Sequence, residues 1–79
     1  MSIIIGQAGW VWVGHYERNG DTILIRDARC IRRWGTTRGL AQLANDGPQP
    51  ETKLEPACDV ELHVLAVIGR LPCREEAWR

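Results

Sequence analysis

Five side chains have the chemistry of metal ligands: His15, His63, Cys30, Cys58 and Cys73. Zinc takes four such ligands, usually as close pairs along the chain. Here the nearest two, Cys58 and His63, stand five positions apart, and no C-x-x-C occurs. That spacing favours buried or half-buried thiols and surface imidazoles, so no metal and no cofactor are expected. Nucleophilic catalysis needs a Ser or Cys beside a positioned His. The residue types are present without a local signature, and so small a domain leaves little room for a reaction pocket. No catalytic residue is assigned, and an enzyme is not expected.

Charge is the next candidate for chemistry. Arg26, Arg29, Arg32, Arg33 and Arg38 crowd one stretch, with Trp34 beside them. Spaced arginines on a strand can hold phosphates, and an indole can stack on a base. The plainer reading is a solvated arginine face neutralised by acids elsewhere. Residues 18–38 hold six Arg and two Asp, while residues 39–69 hold Lys53 against Asp46, Glu51, Glu55, Asp59 and Glu61. Two patches of opposite sign are therefore expected on a chain whose formal net charge is zero. A neutral chain lacks the basic excess of nucleic-acid binders, so direct nucleic-acid binding is not expected. Arg26, Arg29, Arg32 and Arg33 stay as an alternative phosphate-binding set. The acidic set is the better candidate for a protein partner.

Four tryptophans and no phenylalanine are an unusual aromatic choice. Trp fills a small core well and is also prominent among interface hot spots. Trp12 and Trp34 fit the core. Trp10 and Trp78 lie nearer element ends and fit an interface.

These residues must be positioned by 79 residues, enough for one small domain, residues 1–79. With 44% hydrophobic and 25% charged residues, a disordered tail is excluded. No apolar run is long enough for a membrane-spanning helix. The start, Met1-Ser2-Ile3-Ile4-Ile5, lacks the basic region of a signal peptide. An odd number of cysteines fits thiols in a reducing cytoplasm.

Asn19-Gly20 predicts a two-residue hairpin turn, placing Tyr16 opposite Ile23. One face of that ribbon carries Trp10, Trp12, Tyr16, Ile23 and Ile25; the other carries Val11, Val13 and Leu24. Asp27-Ala28 is expected to bend the chain before a third strand, Arg29 to Trp34. A short helix is expected from about Arg38 to Asp46, capped by Thr36 or Thr37 and stopped by Gly47-Pro48. Gly47 to Pro56 reads as a loop. From about Asp59 to Leu71 come one or two strands, with Val60, Leu62, Val64 and Ile68 on one face and Leu65 and Val67 on the other. The tail from Cys73 fits one helical turn.

The order of these features resembles a family of small phage- and prophage-encoded proteins of unknown function. The matching stretches are Gly9-Trp10-Val11-Trp12-Val13-Gly14, Ala28-Arg29 through Trp34, Leu40-Ala41-Gln42-Leu43-Ala44-Asn45-Asp46-Gly47, and Leu71-Pro72-Cys73 through Ala77. A short, neutral, tryptophan-containing chain rich in Arg and Ala is also similar to the type I-C anti-CRISPR proteins. That resemblance implies a non-enzymatic inhibitor of the Cascade surveillance complex, acting in the host cytoplasm to keep Cascade off target DNA. A sequestering protein for a defence signalling nucleotide is the other reading of such a chain.

The expectation is thus an α+β fold: a curved antiparallel sheet of four to five strands, forming a partial barrel, with one short helix. Asp46, Glu51, Glu55, Asp59 and Glu61, with Trp10 and Trp78, are expected to meet a CRISPR complex subunit. The acids would occupy a basic surface and compete with DNA. So small a core also calls for extra stabilisation, and Leu65 and Val67 are expected to form a homodimer interface.

Overall fold

Ile3, Ile4 and Ile5 form an apolar run because their strand is buried on both faces. The computed structural model describes residues 1–78. Its first strand, β1 (Ser2–Gly6), has a neighbour on each side. Ile3 and Ile4 are fully buried and point into different clusters. β1 pairs antiparallel with β2 (Val11–Asn19) on one side and β6 (Val67–Pro72) on the other. β2 pairs with the long β3 (Thr22–Arg33). β5 (Cys58–His63) lies along the first half of β3, and the two-residue β4 (Lys53–Leu54) along the second. The loop expected over Gly47 to Pro56 therefore contributes a short strand. The fold is the expected α+β, with a six-stranded antiparallel sheet and one helix, α1 (Leu40–Asp46).

The sheet curls without closing. β5 sits on the β3 edge and β6 on the β1 edge, joined by a 3₁₀ turn, Val64–Ala66. No ladder joins β5 to β6 among the described residues. This crossing covers the concave face, where Val60, Leu62, Val64 and Val67 pack on Ile4, Ile23, Ile25 and Ala28. On the convex face, Ile3, Val11, Val13 and Ile31 pack under Leu43 and Ala44 of α1, with Trp78 against them.

Three local expectations are corrected. First, the hairpin turn is Gly20-Asp21, since Asn19 pairs with Thr22. Gly20 takes φ 64° and Asp21 does not have positive φ, the type II′ arrangement that needs glycine only at its first position. Tyr16 then meets Ile25 instead of Ile23. A two-residue shift keeps every side chain on its expected face.

Second, the bend at Asp27-Ala28 is a β-bulge inside one strand, so Arg29 to Arg33 continue β3. His15 pairs with Arg26 and Val13 with Arg29, so Asp27 and Ala28 together oppose Gly14. Asp27 is left-handed, φ 51°, and its N–H donates to Asp59 Oδ1 at 3.0 Å.

Third, α1 is not capped by a threonine. Gly39 occupies the cap without a side-chain bond. Gln42 Oε1 reaches back and accepts from the N–H groups of Thr37 (3.2 Å) and Arg38 (2.9 Å). The stop is as expected: the Gly47 N–H donates to the Leu43 carbonyl at 2.9 Å, with Gly47 at φ 80°.

Candidate functional site

Trp10 is displayed by a turn that glycine permits. β1 ends in a 3₁₀ turn, Gln7–Gly9, with Ala8 and Gly9 both left-handed (φ 61° and 80°). The Gly6 N–H donates to the Trp10 carbonyl at 2.7 Å and closes it. Trp10 is 56% exposed and lies flat on Trp12, centroids 5.7 Å apart with 8° between the planes. Gly6 lets the Trp12 ring lie down, because a Cβ there would stand 2.9 Å from Trp12 Cζ3. Beside this stack runs a groove of about 310 Å³, lined by Trp10, Trp12, Gly6, Gln7, Leu62 and Ala66.

The 3₁₀ turn between β5 and β6 makes the other wall. His63 Nδ1 accepts from the Leu65 N–H at 3.1 Å, so this imidazole is a turn cap. Gln7 Nε2 donates to the Leu65 carbonyl at 3.3 Å and ties the two turns together. Leu65 is 77% exposed. No charged side chain lines the groove. The site is an apolar notch, rimmed by two tryptophans, with a protruding leucine alongside.

The other expected interface residues are redistributed. Trp78 is half-buried against the convex core, and its indole N–H donates to the Leu43 carbonyl at 3.0 Å. It is a structural residue, not a surface anchor. Trp34, expected in the core, is 43% exposed. Val67 packs in the concave core and cannot share a surface with Leu65. The 3₁₀ turn is the reason: it resets the strand alternation, so Val67 turns inward and Ile68 outward.

The charged halves do not separate. β4 and β5 belong to the acidic half and pair with β3, the arginine strand. Arg32 stands 3.7 Å from Glu55, Arg33 3.9 Å from Glu51, Arg38 3.2 Å from Asp46, and Arg26 3.0 Å from Glu17. Arg29 Nε donates to the Glu55 backbone carbonyl at 2.8 Å. Asp59 serves the Asp27 amide. Only Glu61 of the five acids has neither an ion pair nor a side-chain hydrogen bond among the described residues. Exposed pairs of this kind add little stability, yet they cancel the field, so neither half presents one sign. The two patches expected from the sequence are one interleaved surface.

A second cavity of about 330 Å³ lies on the convex side, between the bulge and Trp78, at the lower end of ligand-site volumes of roughly 300–1,000 Å³.

The Trp10 notch was half visible in the sequence. Trp10 stood out, while Gln7, Ala66 and the role of Leu65 depend on two 3₁₀ turns that no periodicity announces. The nearest signal was the pair Gly6 and Gly9, which bracket the turn.

Neither curated proteins nor solved structures give a match. Residues 2–79 match the family described as Domain of unknown function (DUF6948), and the chain belongs to that family.

Proposed function

We propose that this protein is a non-enzymatic inhibitor that acts by binding another protein through the notch at Trp10, Trp12 and Leu65. The observation that carries the reading is Trp10, more than half exposed while stacked flat on Trp12. An exposed indole whose ring already has a stacking partner has less freedom to lose on binding, and Trp is among the residue types most enriched in hot spots. The groove asks for an apolar side chain from the partner.

The target comes from the resemblance to phage-encoded anti-CRISPR proteins of type I-C: the Cascade complex, kept from its DNA. The mechanism is steric occlusion. Competition by an acidic patch loses its support, because Asp46, Glu51 and Glu55 stand beside arginines. The phosphate-binding alternative is weaker for the same reason, since Arg26, Arg32 and Arg33 of its four arginines stand beside carboxylates.

The test uses purified type I-C Cascade and fluorescent target DNA. The protein should co-elute with Cascade and lower its DNA affinity. Trp10→Ala should weaken the inhibition about 30-fold, the effect of losing a hot spot of about 2 kcal/mol, with an unchanged circular dichroism spectrum. Undiminished DNA binding at excess protein sinks the target. Full inhibition by Trp10→Ala sinks the surface.

A further inference from the structure

The second cavity lies on the convex side of the sheet, where Val13 points, opposite the Trp10 notch. Its apolar wall is Val13, Leu54, Trp78 and Met1. Pro48 and Ala77 complete that wall, two charged side chains, Asp27 and Arg29, also line the cavity, and the Met1 ammonium is taken by Glu75 at 3.4 Å. The bulge breaks the strand alternation between Asp27 and Arg29, and both line the cavity. Both are exposed, so they stand at the rim.

No ion pair joins Asp27 to Arg29, and the Asp27 carboxylate accepts no hydrogen bond among the described residues. Arg29 is held by its Nε alone, bonded to the Glu55 carbonyl. Its terminal nitrogens have no partner among the described residues and can grip a carboxylate end-on. The bulge aims the pair. Asp27 takes a left-handed conformation that costs energy in a non-glycine residue, and the Asp59 carboxylate anchors its amide. Bulges often re-aim a side chain beside a binding site.

We propose that this cavity binds a small zwitterion with an apolar side group, of the chemistry of a free apolar α-amino acid. Arg29 takes the carboxylate, Asp27 takes the ammonium, and the side group lies against Val13, Leu54 and Trp78. The site is independent of the Trp10 notch.

The probes are L-phenylalanine, 3-phenylpropionate, which lacks the ammonium, and phenethylamine, which lacks the carboxylate. Each is titrated into the ¹⁵N-labelled full chain by NMR. The indole N–H of Trp78 reports on this cavity and that of Trp10 on the notch. L-Phenylalanine should move the Trp78 signal saturably, with a Kd of about 1 mM or lower, reasonable for so small a ligand. Each one-charge analogue should bind about tenfold more weakly. Asp27→Asn, which tolerates the left-handed backbone, should lose the preference for L-phenylalanine over 3-phenylpropionate. Arg29→Gln should lose the preference over phenethylamine. Amide dispersion like that of the parent shows that both variants are folded. No saturable shift of Trp78 up to about 20 mM, shifts confined to Trp10, or equal binding of all three probes overturns the proposal.

Discussion

Gly14 shows how much of this fold rests on one absent methyl group. A Cβ there would stand 2.7 Å from Ile25 Cγ2, 2.9 Å from the Arg26 carbonyl oxygen and 3.0 Å from Ala28 Cα. Two of those three neighbours are backbone of the bulge and cannot rotate away. Gly14→Ala should therefore cost about 2–3 kcal/mol, the upper range of overpacking, read as a lower urea midpoint at unchanged slope. In the sequence Gly14 reads as a weak point in a strand. Its reason becomes visible only when the strand opposite inserts Asp27. The thiols give a second residue-scale prediction. Cys30 and Cys73 have pKa values raised above the ordinary thiol value, chiefly by burial. Raising the pKa lowers the thiolate fraction at a given pH, and the thiolate is the nucleophile. Cys58 is exposed. Iodoacetamide near pH 8 should label Cys58 first, and Cys30 and Cys73 should catch up as the pH rises. Mass spectrometry of the peptides reads the order, and equal rates at all three would contradict it.

Between elements, what the sequence showed was which face each side chain takes, and what it hid was where the ladder slips. The concave and convex sets of β2 and β3 were legible as alternation. That legibility survived a wrong hairpin turn because the error was two residues. The slip at the 3₁₀ turn Val64–Ala66 is different: a turn of odd phase exchanges Val67 and Ile68, and no composition signal marks it. β1 was missed for the opposite reason, since a strand buried on both faces has no alternation to see. The helix was legible in place, not in its cap. Seven residues are too few to be helical alone, so α1 depends on Leu43 and Ala44 in the convex core and on Gln42 at its start. Gln42→Ala should lose both backbone bonds to Thr37 and Arg38 and cost about 1 kcal/mol, the size of an N-cap deletion. Thr37→Ala, with only a 3.5 Å contact from its hydroxyl, should cost much less. Thermal melts of the two variants decide between them, and a larger effect for threonine would restore the cap expected from the sequence.

For the molecule as a whole, the question is whether its exposed apolar groups face a second copy or a different protein. The case for a homodimer rested on Leu65 and Val67 sharing a surface. The structure separates them, and the small core it was meant to assist is in fact two cores, one on each face of the sheet. The free edge of β6 is also guarded against strand addition. Ile68 is skipped by the ladder, since Ile5 pairs with Gly69 and Gly6 with Val67. Arg70 leans over the Tyr16 ring, 4.5 Å from its centroid, and Pro72 ends the strand. A bulge, a charge and a proline are the usual protections of an exposed edge. What remains for self-association is four exposed apolar side chains, Trp10, Trp34, Leu65 and Ile68, few beside the roughly 800 Å² per partner of a stable interface. Light scattering should therefore give a mass near 8.9 kDa across micromolar concentrations, because both core clusters are filled from within one chain. Leu65→Asp should leave both that mass and the urea midpoint nearly unchanged, within about 0.5 kcal/mol, since the side chain is mostly in water already. The same variant should weaken partner binding, because the leucine borders the notch. A doubled mass that falls to the single value in Leu65→Asp would give the patch to a second copy and remove it from the proposed inhibitor surface.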